Sequence, residues 1–366
     1  MAAHEKLAPI HSAILIYMIQ SGVMVFVLPQ RLAQTFGTNG WIAVAGFGLI
    51  VTLNIALIGL VYKLGGGRTI FEILEQSIPK PILFPFYAAI AVIWMMLGSM
   101  AGKEYILIFQ MFSFPTTHSM LFYFALVTLV AWLLTKGIYN IAKAATLFFG
   151  MFIWMIFLLF FFWGEFEWGR LTPFLFKGGE FSLSEQFDMY SSFLGFELCL
   201  LLFGYVDRQT KLIGGAIWAN GILTWNYLYA ALMAFGIYSL QQLKSKMFPI
   251  IDILAYVRLP FIERVDNLFF GFFIFPVLFS VLMFVWAAGE MVGRIVPRMK
   301  KQAVSVVLTY VSYGLAFIPE GIEEVGDWLE VLSVVETGIA LCLPLVLLVV
   351  LLAQRSGEGA AHDPPK

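Results

Sequence analysis

The chain has 366 residues, of which 61% are hydrophobic and only 12% carry a charge. Soluble domains carry about 25% charged residues, so this composition excludes a soluble protein and indicates an integral membrane protein. The apolar runs favour spanning helices, because barrel strands would alternate apolar and polar residues over about ten positions. The net charge of -1 argues against a nucleic-acid partner. Cys199 and Cys342 make neither a disulfide framework nor a metal cluster, and no metal or cofactor is expected.

In chain order, the apolar runs predict an all-α membrane protein with ten transmembrane helices. A short cytoplasmic amino terminus, residues 1–9, precedes one membrane domain, residues 10–353, and a polar tail, residues 354–366, is expected to be disordered. The predicted spans are 10–32, 41–62, 82–112, 119–135, 144–163, 187–207, 212–238, 268–289, 302–317 and 331–353. Lysine and arginine are more frequent in the segments on the side of the amino terminus, which predicts that both termini are cytoplasmic.

Two connecting segments have their own patterns. Residues 69–76 read as a short amphipathic helix on the membrane surface, with its apolar side chains, Ile70, Phe71, Ile73 and Leu74, facing the membrane. Residues 320–330 read as an acidic loop outside the cell, and Glu336 then lies close to the start of span 10, at the interface.

Span 6 carries a glutamate, Glu197, within the apolar stretch 190–205. A carboxylate inside a membrane segment costs a few kcal/mol, so it usually faces a polar cavity or a partner. Two serines and Gly195 precede it, and such residues allow a helix to open. The stretch is therefore interpreted as one wall of a substrate site. The alternative is a continuous buried helix whose glutamate has a structural partner.

Ten spans divide into two halves of five, repeat one at about 10–163 and repeat two at about 187–353. An odd number of spans per half places the halves in opposite orientations. Span 1 contains Gly22 and Pro29, so the first span of each half carries a candidate interruption. Interrupted segments at corresponding positions indicate a site at the membrane midplane in an inverted-repeat transporter.

The opened backbones at these interruptions suit a free amino acid. Amides at the half-helix amino-terminal ends favour a carboxylate, and freed carbonyls favour an ammonium group. The predicted substrate-binding residues are Ser21, Gly22, Val23 and Met24 in span 1 and Phe193, Leu194, Gly195 and Phe196 in span 6. Candidates for charge or ion coupling are Glu197, Lys103, Glu104 and Ser280. Glu197 could take protons, bind a cation or pair with Lys103, and a helix–helix hydrogen bond is the competing interpretation of Ser280.

Four motifs in order along residues 7–353 resemble the B-subunit family of spore germinant receptors, within the amino acid–polyamine–organocation superfamily. They are Leu28-Pro29, Thr69-Ile-Phe-Glu72, Phe193-Leu-Gly-Phe-Glu197 and Phe261-Ile-Glu-Arg-Val-Asp266. The family usually has a basic residue after the span 1 proline, where this chain has Gln30 followed by Arg31.

The resemblance implies a LeuT-type fold in the inner membrane of a spore, with helices 1 and 6 interrupted. It implies a subunit that senses a nutrient, commonly an amino acid, beside an A-type membrane subunit and a C-type lipoprotein, and so triggers germination. The alternative function is an autonomous amino-acid transporter coupled to protons or cations. An enzyme is not expected, since the sequence has neither a His-Glu-x-x-His nor a Gly-x-Ser-x-Gly motif.

Overall fold

The computed structural model describes residues 6–180, 183–207, 211–256 and 265–360, and its elements are helices. The α-helices are α1 Pro9–Gln20, α2 Leu28–Phe36, α3 Trp41–Leu64, α4 Ile70–Ser77, α5 Lys80–Ser113, α6 Ser119–Leu134, α7 Ile138–Phe152, α8 Leu183–Ser191, α9 Leu212–Ile237, α10 Leu240–Ser245, α11 Pro249–Ala255, α12 Val265–Ile295, α13 Lys301–Leu315 and α14 Ile322–Ala360. Tighter 3-10 segments are Val23–Phe26, Ile153–Glu165, Trp168–Leu171 and Phe196–Tyr205. Of the motif at 261–266, residues 261–264 lie outside the described residues.

Six helical segments in the described ranges are long and apolar enough to cross a membrane. They are Trp41–Leu64, Lys80–Ser113, Ile138–Glu165, Glu185–Tyr205, Asn267–Ile295 and Ile322–Arg355, and the shorter helices Pro9–Gln20 and Ser119–Leu134 are also apolar. Their outer surfaces expose large hydrophobic side chains such as Leu53, Phe157 and Val349. A hydrocarbon phase suits such surfaces, in agreement with the predicted class.

The predicted acidic loop 320–330 is wrong for most of its length, because α14 begins at Ile322. Glu323 and Glu324 lie in its first turn, where carboxylates interact favourably with the helix dipole. Glu324 also accepts the Glu320 amide at 2.8 Å. The earlier start of α14 places Glu336 in the interior of the helix, and Glu336 is fully buried. The expected interfacial position of Glu336 is therefore also wrong.

The tail is helical further than predicted, since α14 continues to Ala360. Gln354 donates to the Ile73 carbonyl at 2.9 Å and to the Ser77 hydroxyl at 2.7 Å, and Arg355 donates to the Leu64 carbonyl at 3.3 Å. These bonds hold the end of α14 against α3 and α4. Residues 361–366 lie outside the described part of the chain.

The amphipathic helix predicted at 69–76 is α4, with Thr69 as its cap. Thr69 and Glu72 form a capping box, in which each side chain accepts the other residue's backbone amide. The hydrogen bond from the Thr69 amide lowers the pKa of Glu72. The apolar side of α4 is buried within the protein, where it packs against α5, α14 and the segment Phe196–Tyr205. Its predicted contact with the membrane is therefore wrong.

Helices α5 and α12 form the most extensive pair in the described fold. Gly98 and Gly102 lie at their contact, where an added Cβ would be 2.9 Å from Phe284 Cβ and 2.7 Å from Val281 Cγ2. Small residues allow helix backbones to approach closely in membranes, where lipid supplies no hydrophobic drive for association. This close pair forms one wall of the candidate site.

Candidate functional site

The first helix is interrupted after Gln20, as the glycine in the sequence predicted. Ser21 and Gly22 have extended or irregular backbone torsions, and the chain resumes as the 3-10 segment Val23–Phe26 and then α2. Neighbouring helices satisfy carbonyls that the interruption frees. Ser280 on α12 donates to the Ile19 carbonyl at 2.7 Å, and Tyr227 on α9 donates to the Gln20 carbonyl at 3.3 Å.

The second interruption separates α8 from the segment Phe196–Tyr205. Gly195 has a φ of +112°, a conformation that favours glycine over residues with a Cβ. An added Cβ would also lie 2.7 Å from Ile19 Cγ2. The Gly195 amide donates to both carboxyl oxygens of Glu197, at 2.9 and 2.8 Å. This turn is therefore closed by its own glutamate.

The two interruptions contact each other directly. Gln20 donates through Nε2 to the Phe193 carbonyl at 2.8 Å, and the Tyr227 hydroxyl lies 3.1 Å from the Ser192 carbonyl as well as near Gln20. Amide and hydroxyl groups thus replace the helical hydrogen bonds that both backbones lack. Non-helical backbone at membrane depth is tolerated where such partners or a cavity satisfy it.

A cavity of about 100 Å³ lies between these interruptions, α5, α12 and α14. Its lining residues are Ile19, Gln20, Gly22, Val23, Met24, Leu97, Ala101, Glu104, Ser191, Ser192, Leu194, Val277, Ser280, Phe284, Leu329 and Ser333. Six residues singled out in the sequence belong to it: Gly22, Val23, Met24, Leu194, Glu104 and Ser280. The cavity therefore combines apolar walls with a few polar groups, as small-molecule sites do.

Two polar groups on the cavity wall have no hydrogen-bond partner within the described ranges, although Arg31 interacts electrostatically with one of them, Glu104. Glu104 is the only charged residue of the lining, and its carboxyl forms no hydrogen bond or ion pair in the described structure. The Gln20 Oε1 atom is buried and also lacks a hydrogen-bond donor. Both groups can accept a hydrogen bond, and neither receives one from the described residues.

Ser21 lies on another face of the first interruption. It lines a separate cavity of about 40 Å³ with Gly22, Tyr17 and Asn226, between α1, α9 and the segment Ile153–Glu165. The predicted residues of span 1 therefore divide between two cavities, because the chain turns at Gly22.

Ion pairs lie on both sides of the larger cavity. On the side away from the amino terminus, Arg31 on α2 and Asp188 on α8 are 3.3 Å apart. On the side of the amino terminus, Glu290 accepts from Tyr205 at 2.8 Å and pairs with Lys301 at 2.6 Å. Polar contacts thus join different elements on both sides of the cavity.

The remaining predicted residues of span 6 point away from the cavity. Phe193 packs edge-on against Tyr227 with ring centroids 5.3 Å apart, and Phe196 lies edge-on to Tyr190 at 6.5 Å. Gly195 and Glu197 form the closed turn described above. These residues pack around the interruption and do not line the cavity.

Lys103 does not pair with Glu197. It is buried and donates to the carbonyls of Ala316 and Pro319, at the end of α13. The Glu197 carboxyl interacts instead with that of Glu336 on α14. Glu336 was missed because its predicted position at a span end gave no reason to look for a buried partner.

Four polar cavity residues also went unassigned: Gln20, Ser191, Ser192 and Ser333. The two serines were read only as helix-opening residues, and Ser333 fell near the predicted start of span 10. Their role as lining depends on the position of α14, which no local sequence pattern fixes.

Residues 6–325 match the family described as "Spore germination protein". The chain belongs to the spore germination protein family. It is 24% identical over 314 residues to "Spore germination protein GerQB" of Bacillus cereus, covering 84% of this chain and 85% of that protein. It is 22% identical over 353 residues to "Spore germination protein YndE" of Bacillus subtilis (strain 168), covering 93% and 94%. This confirms the family resemblance carried by the sequence motifs.

The fold resembles those of two solved transporters. MhsT in complex with L-phenylalanine superposes with a TM-score of 0.65 at 15% identity, covering 95% of this chain and 89% of MhsT. Mhp1, a nucleobase-cation-symport-1 family transporter with bromovinylhydantoin bound, gives 0.58 at 13% identity, covering 92% and 78%. The spore germination protein is thus a multi-pass, all-α membrane protein with a LeuT-like transporter fold.

Proposed function

We propose that this protein is the B-type membrane subunit of a nutrient germinant receptor, and that it binds a small amino acid in the cavity between the two interrupted helices. The observation that carries the proposal is the unpartnered Glu104 carboxyl in a cavity bordered by both interruptions. Membership of the spore germination protein family supports the biological role.

The topology that accompanies this proposal has ten transmembrane helices in a 5+5 inverted repeat. Four further spans join the six long apolar segments to make ten. They are the interrupted first span, α6 and the less apolar helices α9 and α13. The protein spans the spore inner membrane with both termini on the cytoplasmic side, which agrees with the distribution of basic residues. The ion pair Arg31–Asp188 then lies on the outer side of the cavity.

The polar groups of the cavity fit the two ends of an amino acid. Its ammonium group binds the Glu104 carboxylate and the Gln20 Oε1 atom, both of which lack a donor. Its carboxylate lies toward the backbone amides of Val23 and Met24, at the start of a new helical segment, where intrahelical partners are missing. Charge-assisted hydrogen bonds of this kind are roughly twice as strong as neutral ones.

The apolar walls set the size of the side chain. Leu97, Val277 and Phe284 form one side of a cavity of about 100 Å³, and a protein cavity of about 150 Å³ suffices for benzene. A small aliphatic amino acid therefore fits this cavity better than an aromatic one.

Binding acts through a change in the population of receptor conformations. The ligand needs differential affinity for two states, and no transport is required. The A-type membrane subunit and the C-type lipoprotein are the partners that respond to this change. In this scheme the ligand-bound state is stabilised by the Arg31–Asp188 pair on one side of the cavity and by the contacts of Glu290 on the other.

The test is a thermal-stability screen of the purified protein with each of the twenty amino acids. A ligand that binds only the folded state stabilises it by RT ln(1 + [L]/Kd). We expect small aliphatic amino acids to raise the melting temperature. Glu104→Gln should weaken binding about 10- to 100-fold, because hydrogen bonds to charged groups contribute about 1.5–3 kcal/mol.

Glu165→Gln is the matched control, since Glu165 is exposed at the end of a helical segment and outside the cavity. The control should retain the wild-type response. An equal response in Glu104→Gln and wild type would contradict the assignment of the ammonium site, and no response of wild type to any amino acid would contradict the ligand class.

The alternative is an autonomous amino-acid transporter coupled to protons or cations, which the likeness to two transporter folds favours. Uptake of the stabilising amino acid into liposomes that contain this chain alone would support it. Binding without uptake would support the receptor subunit.

A further inference from the structure

A pair of buried carboxyl groups lies behind the cavity wall. Glu197, just after the second interruption, is 2% exposed, and Glu336 in the interior of α14 is 0% exposed. Their carboxyl groups interact with each other. The proposed germinant site uses neither carboxyl.

The other partners of the pair are neutral N–H donors. The Trp94 indole on α5 donates to both carboxyl oxygens of Glu336, at 2.8 and 2.9 Å. The Gly195 amide donates to both oxygens of Glu197. Neither carboxyl has a hydrogen-bond or ion-pair partner that is a cation in the described structure, so no positive charge compensates two buried anions.

Two interacting carboxyl groups attract each other only when one of them holds a proton, because two ionised carboxylates are acceptors only and repel each other. Burying an unpaired charge is costly, and the pair avoids part of this cost by keeping a proton. The N–H donors also occupy lone pairs that a metal cation would need.

We propose that Glu197 and Glu336 form a proton-binding site that joins the second interruption to α14. With the proton bound, the two carboxyls hold the Gly195 turn against α14. Loss of the proton leaves two contacting anions and weakens that contact. Leu194 lies three residues before Glu197, and Ser333 lies one turn before Glu336, and both line the cavity. The proton therefore controls the distance between two walls of the cavity.

Among the described residues, one further titratable group interacts with the pair, the Tyr190 phenol on α8. Asn54 on α3 donates to that phenol at 3.0 Å and to the Ala340 carbonyl at 3.0 Å. Lys103 and Glu104 on α5 lie nine and ten residues beyond Trp94, about 14 Å along the helix. The titratable groups of the other packed elements have their own partners: Tyr17 on α1 with Asn226, Tyr227 on α9 with two carbonyls, Glu290 on α12 with Lys301, and Glu72 on α4 with Thr69.

The test is infrared spectroscopy of the purified full-length protein across a pH titration, without any amino acid. We expect wild type to show the carbonyl band of a protonated buried carboxyl at neutral pH and to lose it at alkaline pH. Glu336→Gln and Glu197→Gln should each remove this band, because an amide donates to the remaining carboxylate and replaces the proton. Glu290→Gln is the matched control and should retain the band, since Glu290 is buried but paired with Lys301.

Melting temperature against pH gives a second readout that needs no variant. The folded protein holds a proton that a solvated glutamate releases at neutral pH, so stability should fall as the pH rises. Glu336→Gln should flatten this fall. The proposal is overturned if wild type lacks the band at neutral pH, or if both glutamine variants keep it when Glu104, the other carboxyl without an ion pair, is also replaced by glutamine. It stands independently of the germinant site, because neither measurement uses a ligand.

Discussion

The two interrupted helices solve the same problem in different ways. At the first interruption, groups on other helices satisfy the freed carbonyls, with Ser280 and Tyr227 as donors. At the second, a residue of the same segment closes the turn, because Glu197 accepts the Gly195 amide. The first interruption thus depends on neighbouring groups, whereas the second combines a bond to its own glutamate with the bonds that Gln20 and Tyr227 donate to its carbonyls.

This difference separates the ligand-facing part of the site from its support. Gly22, Val23 and Met24 all line the larger cavity, whereas Leu194 and the serines before it are the residues of the second interruption that do so. The first interruption presents backbone to the cavity, and the second borders the cavity mainly through the end of α8. Substitutions at the two places should therefore have different consequences.

The largest expected contrast is between the two glycines. Gly195→Ala should destabilise the protein by at least about 2 kcal/mol, since a left-handed backbone costs about 1–2 kcal/mol for residues with a Cβ and the new methyl meets Ile19. Gly22→Ala places its Cβ in open space at an ordinary φ. It should be neutral or stabilising by about 0.4–1 kcal/mol. Melting temperatures of both variants in detergent measure the contrast, and equal losses would show that the interruptions are alike.

A smaller effect tests the dependence of the first interruption on its neighbours. Tyr227→Phe removes the hydroxyl that bridges the Gln20 and Ser192 carbonyls, which should cost about 1–2 kcal/mol. Tyr310→Phe is the control, because the Tyr310 ring is exposed on α13. Thermal melting of both variants decides the matter. A Tyr227→Phe protein as stable as its control would mean that the carbonyls need no bridging donor.

The smallest losses of stability are expected at two capping boxes, where a side chain caps the start of a short helix. Thr69→Ala and Ser239→Ala each remove the cap of a capping box and should cost about 1 kcal/mol. The pKa of Glu72 is lowered by the bond from the Thr69 amide, so its stabilisation is present above the usual glutamate pKa. It is lost as the pH falls through the lowered value.

Melting temperatures from neutral to acidic pH separate the two boxes. The Thr69 box should weaken in acid, and Glu72→Gln should abolish that component. The Ser239 box contains Gln242 in place of an acid, so it should contribute no acid-dependent loss of stability. An acid-dependent loss that survives Glu72→Gln would assign it to another carboxyl.

Much of the fold follows from composition and local pattern. Apolar runs located the spans, and Gly22 and Gly195 marked both interruptions, because backbone that must leave the helix requires residues without a bulky side chain. The errors fall where polar residues are helical. The acidic start of α14 was read as a loop, although carboxylates in a first turn stabilise a helix.

The site was predictable only in part, since it depends on contacts between distant segments. The glycine and its neighbours in span 1 line the cavity as expected, and so does Glu104. The partner of Glu197 was not predictable, because Glu336 lies 139 positions away and reaches it only through the packing of α14. Lys103, close to Glu104 in sequence, faces α13 instead because adjacent helical residues point about 100° apart.

The contact at Gly98 and Gly102 has a mechanical consequence. Backbones this close interlock, so α5 cannot slide along α12 without forcing side chains into each other. The pair must move as one rigid unit. Relative movement therefore belongs to the softer joints, where polar bonds rather than interlocked backbones join α1 and the segment after Gly195 to that unit.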